Sequence, residues 1–475
     1  MENNIWLDVT TTLNWNRPAV GIIRVEAETA SYFLNANLPN IYFCRFDLKN
    51  KEYLKVSRGD VQKALDTIRM GKPSVAPEKK DALPPPPPAP PFVSIEQRVK
   101  NVVLRVFNLF PRRARQKALK FASDRLNGYY AAVRSYREIR LAVQEFISPS
   151  GIVPSPPIVD GVAQVKQPPP FKTDDIYISL GLDWDQKDYE YLFSEKRLIN
   201  FKVLLICYDI IPVKYQHLFF GEVAPLFARY FANLAWCADE VLCISECTKR
   251  DLTLLLAELG TPIPPMSVIK LGCELPYGNS QDQLSPEVAS LAETKFIMLV
   301  STIERRKNHE ILYRAYTRLV EKGVKKIPIL VFVGMPGWGV SELMSDLKLD
   351  FRIRPHIRML NHVSDGDLAW LYRNTEFTVF PSLYEGWGIP VAESLAAGKF
   401  CLASNTASLP EVGEDLVEYI DPWDLPAWAE RLEWYFDHPE EIARKEQRIR
   451  NEYHPASWRD AASFVFNTAQ KLTER

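Results

Sequence analysis

Glu385 and Glu393, separated by seven residues around the stretch Glu385-Gly-Trp-Gly-Ile-Pro390, are the residues of this 475-residue chain best suited by type and spacing to chemistry. A carboxylate accepts hydrogen bonds from sugar hydroxyls. Gly386 and Gly388 let the backbone approach a ligand closely, and a helix starting near Pro390 would offer unpaired N–H groups to a diphosphate. Upstream, Glu304-Arg305-Arg306-Lys307-Asn308 follows an apolar run. A diphosphate gains charge as it leaves a sugar, so a fixed pair such as Arg306 and Lys307 would stabilise that transition state more than the ground state. A basic first turn by itself is an ordinary solvated surface, and the two glutamates in the same half of the chain favour the phosphate role. Asp183-Trp-Asp185 could hold a divalent cation. Two aspartates in an acidic loop are also commonplace, and with Arg306 and Lys307 available for the phosphate no metal is expected. No Gly-x4-Gly-Lys-Ser/Thr loop is present, which weakens a P-loop kinase reading.

These residues need elements to position them. A β-branched and aromatic run at 377–380 predicts a strand, a loop follows it, and Val391, Ala392, Leu395 and Ala396 recur at helical spacing between Pro390 and Gly398. A second strand is expected at 400–404. Glu385 then lies in the loop and Glu393 in the first helical turn, facing one pocket from different sides. An acidic first turn also has a plain reading, since it complements the helix dipole. Further strands at 296–301, 329–334, 357–360 and 417–420 alternate with helical segments, as do those at 5–10, 41–47, 176–180, 203–208, 241–244 and 268–271. Two mostly parallel α/β sheets are expected.

The stretch Pro381-Ser-Leu-Tyr-Glu-Gly-Trp-Gly-Ile-Pro-Val-Ala-Glu-Ser-Leu-Ala-Ala-Gly398, with its E-x7-E pattern, resembles the signature of the retaining glycosyltransferases of family 4. Ser301-Thr-Ile-Glu-Arg-Arg-Lys-Asn308 resembles the Gly-Thr-Ile-Glu-Pro-Arg-Lys-Asn of one subgroup, with Ser301 and Arg305 replacing its glycine and proline. The resemblance implies a GT-B fold, two Rossmann-like domains facing across a cleft. It implies domains at 1–275 and 286–450, with a terminal helix in 451–475 returning to the first. It also implies a retaining, metal-independent hexosyltransferase without cofactor, moving a hexose or deoxyhexose. The donor would be a nucleoside diphosphate sugar, GDP-mannose as first guess, and the acceptor a glycan or polyprenyl-diphosphate-linked oligosaccharide of bacterial surface polysaccharide, lipopolysaccharide or capsule. Glu385 would bind the sugar and Glu393 the ribose, with Gly386, Trp387, Gly388 and Ile389 lining the donor site. Val363, beside His362, would meet the base through backbone, and His362 itself reads as a loop residue. The stretch 19–26 resembles the family's loop near donor phosphate or acceptor, which singles out Gly21; a plain turn glycine is the equal alternative. At Tyr208-Asp209 the family often carries His-Asp, which leaves Asp209 as the acceptor-side catalytic candidate or as a turn aspartate. Ser245 reads as a helix cap. The competing readings are a scaffold or lectin that kept a nucleotide fold, and a phosphorylase-like enzyme, which is disfavoured because no cofactor-lysine motif stands out.

A net charge of -1 exerts no pull on nucleic acid, and 47% hydrophobic with 25% charged residues is ordinary globular composition. Seven cysteines in apolar surroundings read as reduced and buried, and Cys243 with Cys247 lacks the second pair that zinc needs. The start of the chain shows no leader pattern and no run is long enough to span a bilayer, so a cytoplasmic protein is expected. Proline is abundant, 36 residues against 20 glycines, and concentrates around an insertion expected at 72–172. Within it, 95–146 reads as helical. Arg105, Arg112, Arg113, Arg115, Lys117 and Lys120 lie there beside Val102, Val106, Leu109 and Phe110. Such a segment suits an anionic membrane surface on the inner face of the cytoplasmic membrane, or a helical pair with a solvated basic face.

Overall fold

The computed structural model describes residues 3–16, 21–36, 38, 40–70, 168–219, 223–274 and 284–474. The expected insertion, apart from 168–172, and most of the expected crossing at 277–285 lie outside the described residues.

The first sheet has seven strands in the order β3-β2-β1-β4-β5-β6-β7. They are β1 (Ile5–Asp8), β2 (Ile41–Asp47), β3 (Glu52–Val56), β4 (Ile176–Ser179), β5 (Lys202–Cys207), β6 (Glu240–Cys243) and β7 (Met266–Val268). All pairings are parallel except β2 with β3. Strands such as Val203-Leu-Leu-Ile-Cys207 are buried on both faces, as expected where helices cover both sides of a parallel sheet. The hairpin to β3 and the helix Arg58–Met70 after it were not expected from the sequence. The strand expected at 5–10 ends at Asp8 and gives way to the short helix Thr10–Asn14, and β7 starts and ends before the expected 268–271.

The second sheet has six parallel strands in the order β10-β9-β8-β11-β12-β13. They are β8 (Phe296–Val300), β9 (Ile329–Val333), β10 (Ile357–Leu360), β11 (Thr378–Phe380), β12 (Cys401–Ser404) and β13 (Glu418–Ile420). This is the doubly wound dinucleotide-fold order, in which the chain reverses direction across the sheet between β8 and β11. Ligands in such sheets bind at that reversal, outside the carboxyl ends of the strands. The loops leaving β8 and β11 carry Glu304–Lys307 and Ser382–Gly388.

The helix Trp458–Leu472, capped by Ser457, packs into the first domain, with Trp458, Val465 and Ala469 in the core that contains Leu7, Ile178 and Leu204. Cys273 N–H donates to the Ala456 carbonyl at 3.1 Å, so outgoing and returning chain run side by side. Gly272 is required there: a Cβ would stand 2.5 Å from the Trp458 ring. All seven cysteines are buried and free. Among the described residues no helix is long and apolar enough to cross a membrane.

Candidate active site

The loop after β8 forms a single 3-10 turn, Arg305–Lys307, stopped by Asn308 at φ +56°. Asn308 holds this turn in place by donating to the carbonyls of Pro381 and Pro422 at 3.2 and 2.8 Å, at the ends of β11 and β13. The turn presents Arg306 and Lys307 to Glu385. Arg306 lies 2.7 Å from one Glu385 oxygen and Lys307 2.7 Å from the other, which also accepts from Ser382 at 2.6 Å. Arg306 further donates to the Tyr384 carbonyl at 2.7 Å and to Glu304 at 2.8 Å. Burial works against the Glu385 charge, yet Arg306 and Lys307 outweigh it and hold its pKa at about 2. Burial, with Arg306 beside it, lowers the Lys307 pKa. Three of the roughly four acceptor positions of the Glu385 carboxylate are in use, so a sugar hydroxyl or a phosphate would exchange with an existing partner.

Glu393 lies on the helix Ile389–Ala396, whose N-cap is Gly388. It is the fifth residue, in the second turn and not the first as expected, because the helix starts one residue before Pro390. Gly398 ends it at φ +72°. Glu393 is buried and accepts from Tyr372 at 2.9 Å. Burial pushes its pKa up to about 7, with the Tyr372 hydrogen bond and the Arg24 guanidinium offsetting part of that rise.

The two loop glycines serve contacts within the protein. A Cβ on Gly386 would stand 2.2 Å from the Tyr208 carbonyl of the first domain, and one on Gly388, at φ +120°, would stand 2.6 Å from Leu409. Trp387 packs against the cores of both domains and Ile389 against that of the first. Val363 is half-buried against the second domain's smaller core, and His362 beside it is exposed at φ +57°. Gly21 caps the helix Ile22–Asn35 at φ +53° and is exposed.

From the first domain, Asp209 faces the same cluster. Its Oδ1 accepts from the Ile211 N–H at 2.9 Å, and burial raises its pKa against the pull of Arg306. Tyr208 sends its hydroxyl to the Leu180 carbonyl at 2.6 Å. Asp183 is enclosed by Lys187, Ser179 and Tyr189, whereas Asp185 is exposed on a separate polar cavity. The two carboxylates of the D-x-D stretch therefore face apart. Among the described residues no group of metal-ligating side chains assembles.

Between Asp209 and Arg306 opens a cavity of about 300 Å³ walled mainly by aromatic residues of the first domain and by Trp338 of the second. Glu304, 4% exposed, lines it as well. Sequence reasoning passed over Glu304 as one acidic residue before a basic turn; only its pairing with Arg306 marks it.

Residues 280–452 match the family described as Glycosyl transferases group 1. The chain is 31% identical over 193 residues to O-antigen chain mannosyltransferase B of Escherichia coli, an overlap of 40% of this chain and 49% of that one. It is 32% identical over 241 residues to the MMP alpha-(1->4)-mannosyltransferase of Mycolicibacterium hassiacum, covering 50% and 55%. The chain thus spans between about a third and a half of the length of the curated relatives it matches first. Sucrose-phosphate synthase of Thermosynechococcus elongatus superposes over 100% of both chains with a TM-score of 0.55 at 15% identity. The fold is GT-B, with a separate Rossmann-like sheet in each of two domains.

Proposed function

We propose that this protein is a retaining hexosyltransferase that moves a sugar, mannose from GDP-mannose as first choice, to a glycan or polyprenyl-diphosphate-linked acceptor in bacterial surface polysaccharide synthesis. The observation that carries the reading is the convergence of Glu385, Arg306 and Lys307 with Asp209 of the opposite domain at the carboxyl ends of both sheets. Arg306 and Lys307 would take the diphosphate, and their positive charge is worth most when the sugar–phosphate bond has broken and the leaving group carries its full charge. Glu385 would then exchange part of its ion pairing for hydroxyls of the transferred sugar, and Glu393 would hold the ribose. The acceptor hydroxyl would approach from the first domain, past Asp209. The E-x7-E resemblance supports retention and attack on the same face as departure. The mannosyl choice rests on the mannosyltransferases among the relatives. Metal independence is supported by the Arg306–Lys307 pair and by the engagement of Asp183 with Lys187. A basic segment at 95–146 would bring the cleft to a lipid-linked acceptor at an anionic membrane surface.

The test is nucleotide release from a panel of nucleotide sugars, with and without chelator and with lipid-linked and free glycan acceptors. The expected outcome is release from one donor, stimulated by acceptor and unaffected by chelator. Binding without release from any donor would leave the scaffold or lectin reading in place. Activity lost in chelator and restored by manganese would overturn the assignment of the phosphate to Arg306 and Lys307.

A further inference from the structure

The aromatic cavity beside the cluster is built differently from the donor side. Its walls carry Trp184, Phe219, Phe227 and Tyr230 from the first domain and Trp338 from the second. Trp184 lies 5.8 Å from Phe227 and 6.2 Å from Tyr230, and the Trp338 indole donates to the Leu218 carbonyl at 3.3 Å, so these rings are held by neighbours before any ligand arrives. The charged lining is confined to Asp209, Glu304 and Arg306. Arg306 is engaged by Glu304, Glu385 and the Tyr384 carbonyl. One oxygen of Glu304 is bound to Arg306 and one of Asp209 to the Ile211 N–H; the second oxygen of each has no partner among the described residues.

Three ligand chemistries can be weighed against this lining. A phosphate in this cavity would meet two carboxylates, Asp209 and Glu304, against the single guanidinium of Arg306, which already donates to Glu304, and Lys307 does not line it. An alkyl chain would satisfy the rings but leave two carboxylate oxygens desolvated and unpaired, which is costly. A neutral pyranose satisfies both: its C–H faces lie against electron-rich ring faces, and its hydroxyls donate to carboxylates. A volume of about 300 Å³ is at the lower end for ligand pockets and suits one ring more than a chain of them.

We infer that this cavity is the subsite for one neutral pyranose, the terminal sugar of the acceptor, with Glu304 and Asp209 accepting from its hydroxyls and Trp184 and Trp338 facing its ring. The inference rests on the transferase reading only for the word acceptor; the subsite itself can be tested without donor. The acceptor is then selected by its last sugar, and Glu304 links that sugar to Arg306 on the donor side.

The experiment titrates the full chain with a panel of methyl hexosides, read by tryptophan fluorescence and by saturation-transfer NMR. Acceptor KM and donor Kd are measured in parallel for wild type, Trp184→Ala and Glu304→Gln, with thermal melting as the control for folding. One glycoside is expected to bind the wild type, Trp184→Ala to abolish that binding, and both variants to raise acceptor KM at least tenfold, with donor Kd moving less than twofold in Trp184→Ala. Binding of an alkyl phosphate but of no glycoside would overturn the inference, as would an acceptor KM within twofold of wild type in both variants. If no donor releases nucleotide yet a glycoside binds in a Trp184-dependent way, the transferase reading fails and the sugar subsite stands. If transfer occurs without Trp184-dependent glycoside binding, the subsite fails and the transferase reading stands.

Discussion

Burial puts two carboxylates of this molecule, Glu393 at about 7 and Glu26 at about 8, far above the usual value of 4.5. Below pH 4.5 each is protonated in both folded and unfolded chain, so the favourable difference is fully present there. As pH rises the unfolded chain ionises first, and stability is lost until the folded values near 7 and 8 are passed. The slope is at most about 1.4 kcal/mol per pH unit for each group. Denaturant unfolding should therefore show stability falling from pH 5 to 8, with Glu26→Gln flattening the curve; a pH-independent midpoint would contradict this. Donor binding should move the other way, because an ionised Glu393 is the better acceptor for ribose hydroxyls. The donor Kd is expected to tighten from pH 6 to 8, and Glu393→Ala to lose that trend together with about 1.5–3 kcal/mol of affinity. Glu385→Ala differs in kind. It strands Arg306 and Lys307 without their shared anion, and breaking a buried ion pair costs about 3–5 kcal/mol. A lower unfolding midpoint with turnover falling more than donor affinity is expected, and wild-type kinetics and melting together would remove Glu385 from the site. Glu385, Arg306 and Lys307 were legible in the sequence because each sits in a short local pattern. Glu304 was not, because its partner Arg306 gives it meaning only once the turn Arg305–Lys307 is folded against β11. The D-x-D stretch shows the same limit: its spacing is local, but the burial that separates Asp183 from Asp185 is not.

Most strands were legible because parallel strands covered on both faces read as continuous apolar runs. The hairpin β2–β3 was not, since Glu52-Tyr-Leu-Lys-Val56 alternates weakly between apolar and charged residues and has one exposed edge. What joins the two domains was least legible of all. Ser245 caps the helix Glu246–Glu258 by accepting from Thr248 N–H, as its sequence suggests. Two further N–H groups of that first turn, Glu246 and Cys247, donate to the carboxylate of Glu411 in the second domain, each at 2.8 Å. A carboxylate at a helix N-terminus answers both the unpaired N–H groups and the dipole, but nothing local in Leu409–Gly413 announces it. Beside this contact the Tyr384 hydroxyl bonds Asp251, which Lys214 approaches to 2.7 Å, while the Tyr384 carbonyl holds Arg306. One residue thus ties the first domain to Arg306. Glu411→Ala and Tyr384→Phe should each weaken the closed arrangement by about 1–2 kcal/mol. In solution scattering their radius of gyration should rise above wild type, and turnover should fall several-fold. Unaltered scattering from the double variant would mean that Trp387 and the close approach of Gly386 to Tyr208 suffice to hold the domains together.

At the scale of the whole molecule, each domain closes its own sheet. The described strands of the seven-stranded sheet come from residues before 57 and after 175. The helix Trp458–Leu472 completes the first domain's core from the far end of the sequence, which makes folding of that domain depend on the C-terminal segment. Deleting 72–167 and joining its ends with a short flexible linker is therefore expected to leave melting temperature and donor Kd within error of wild type. The basic composition of 95–146 leads to a second expectation. Each lysine or arginine near an anionic surface contributes roughly 1 kcal/mol, and the attraction fades as salt shortens the screening length. The undeleted chain should sediment with vesicles containing phosphatidylglycerol at low salt and come off as salt rises, whereas the deleted protein should stay in solution and transfer to lipid-linked acceptor more slowly than to a free glycan. If both proteins bind the vesicles equally, the membrane contact belongs to the two-domain body, and the basic segment is better explained as a packing or assembly surface.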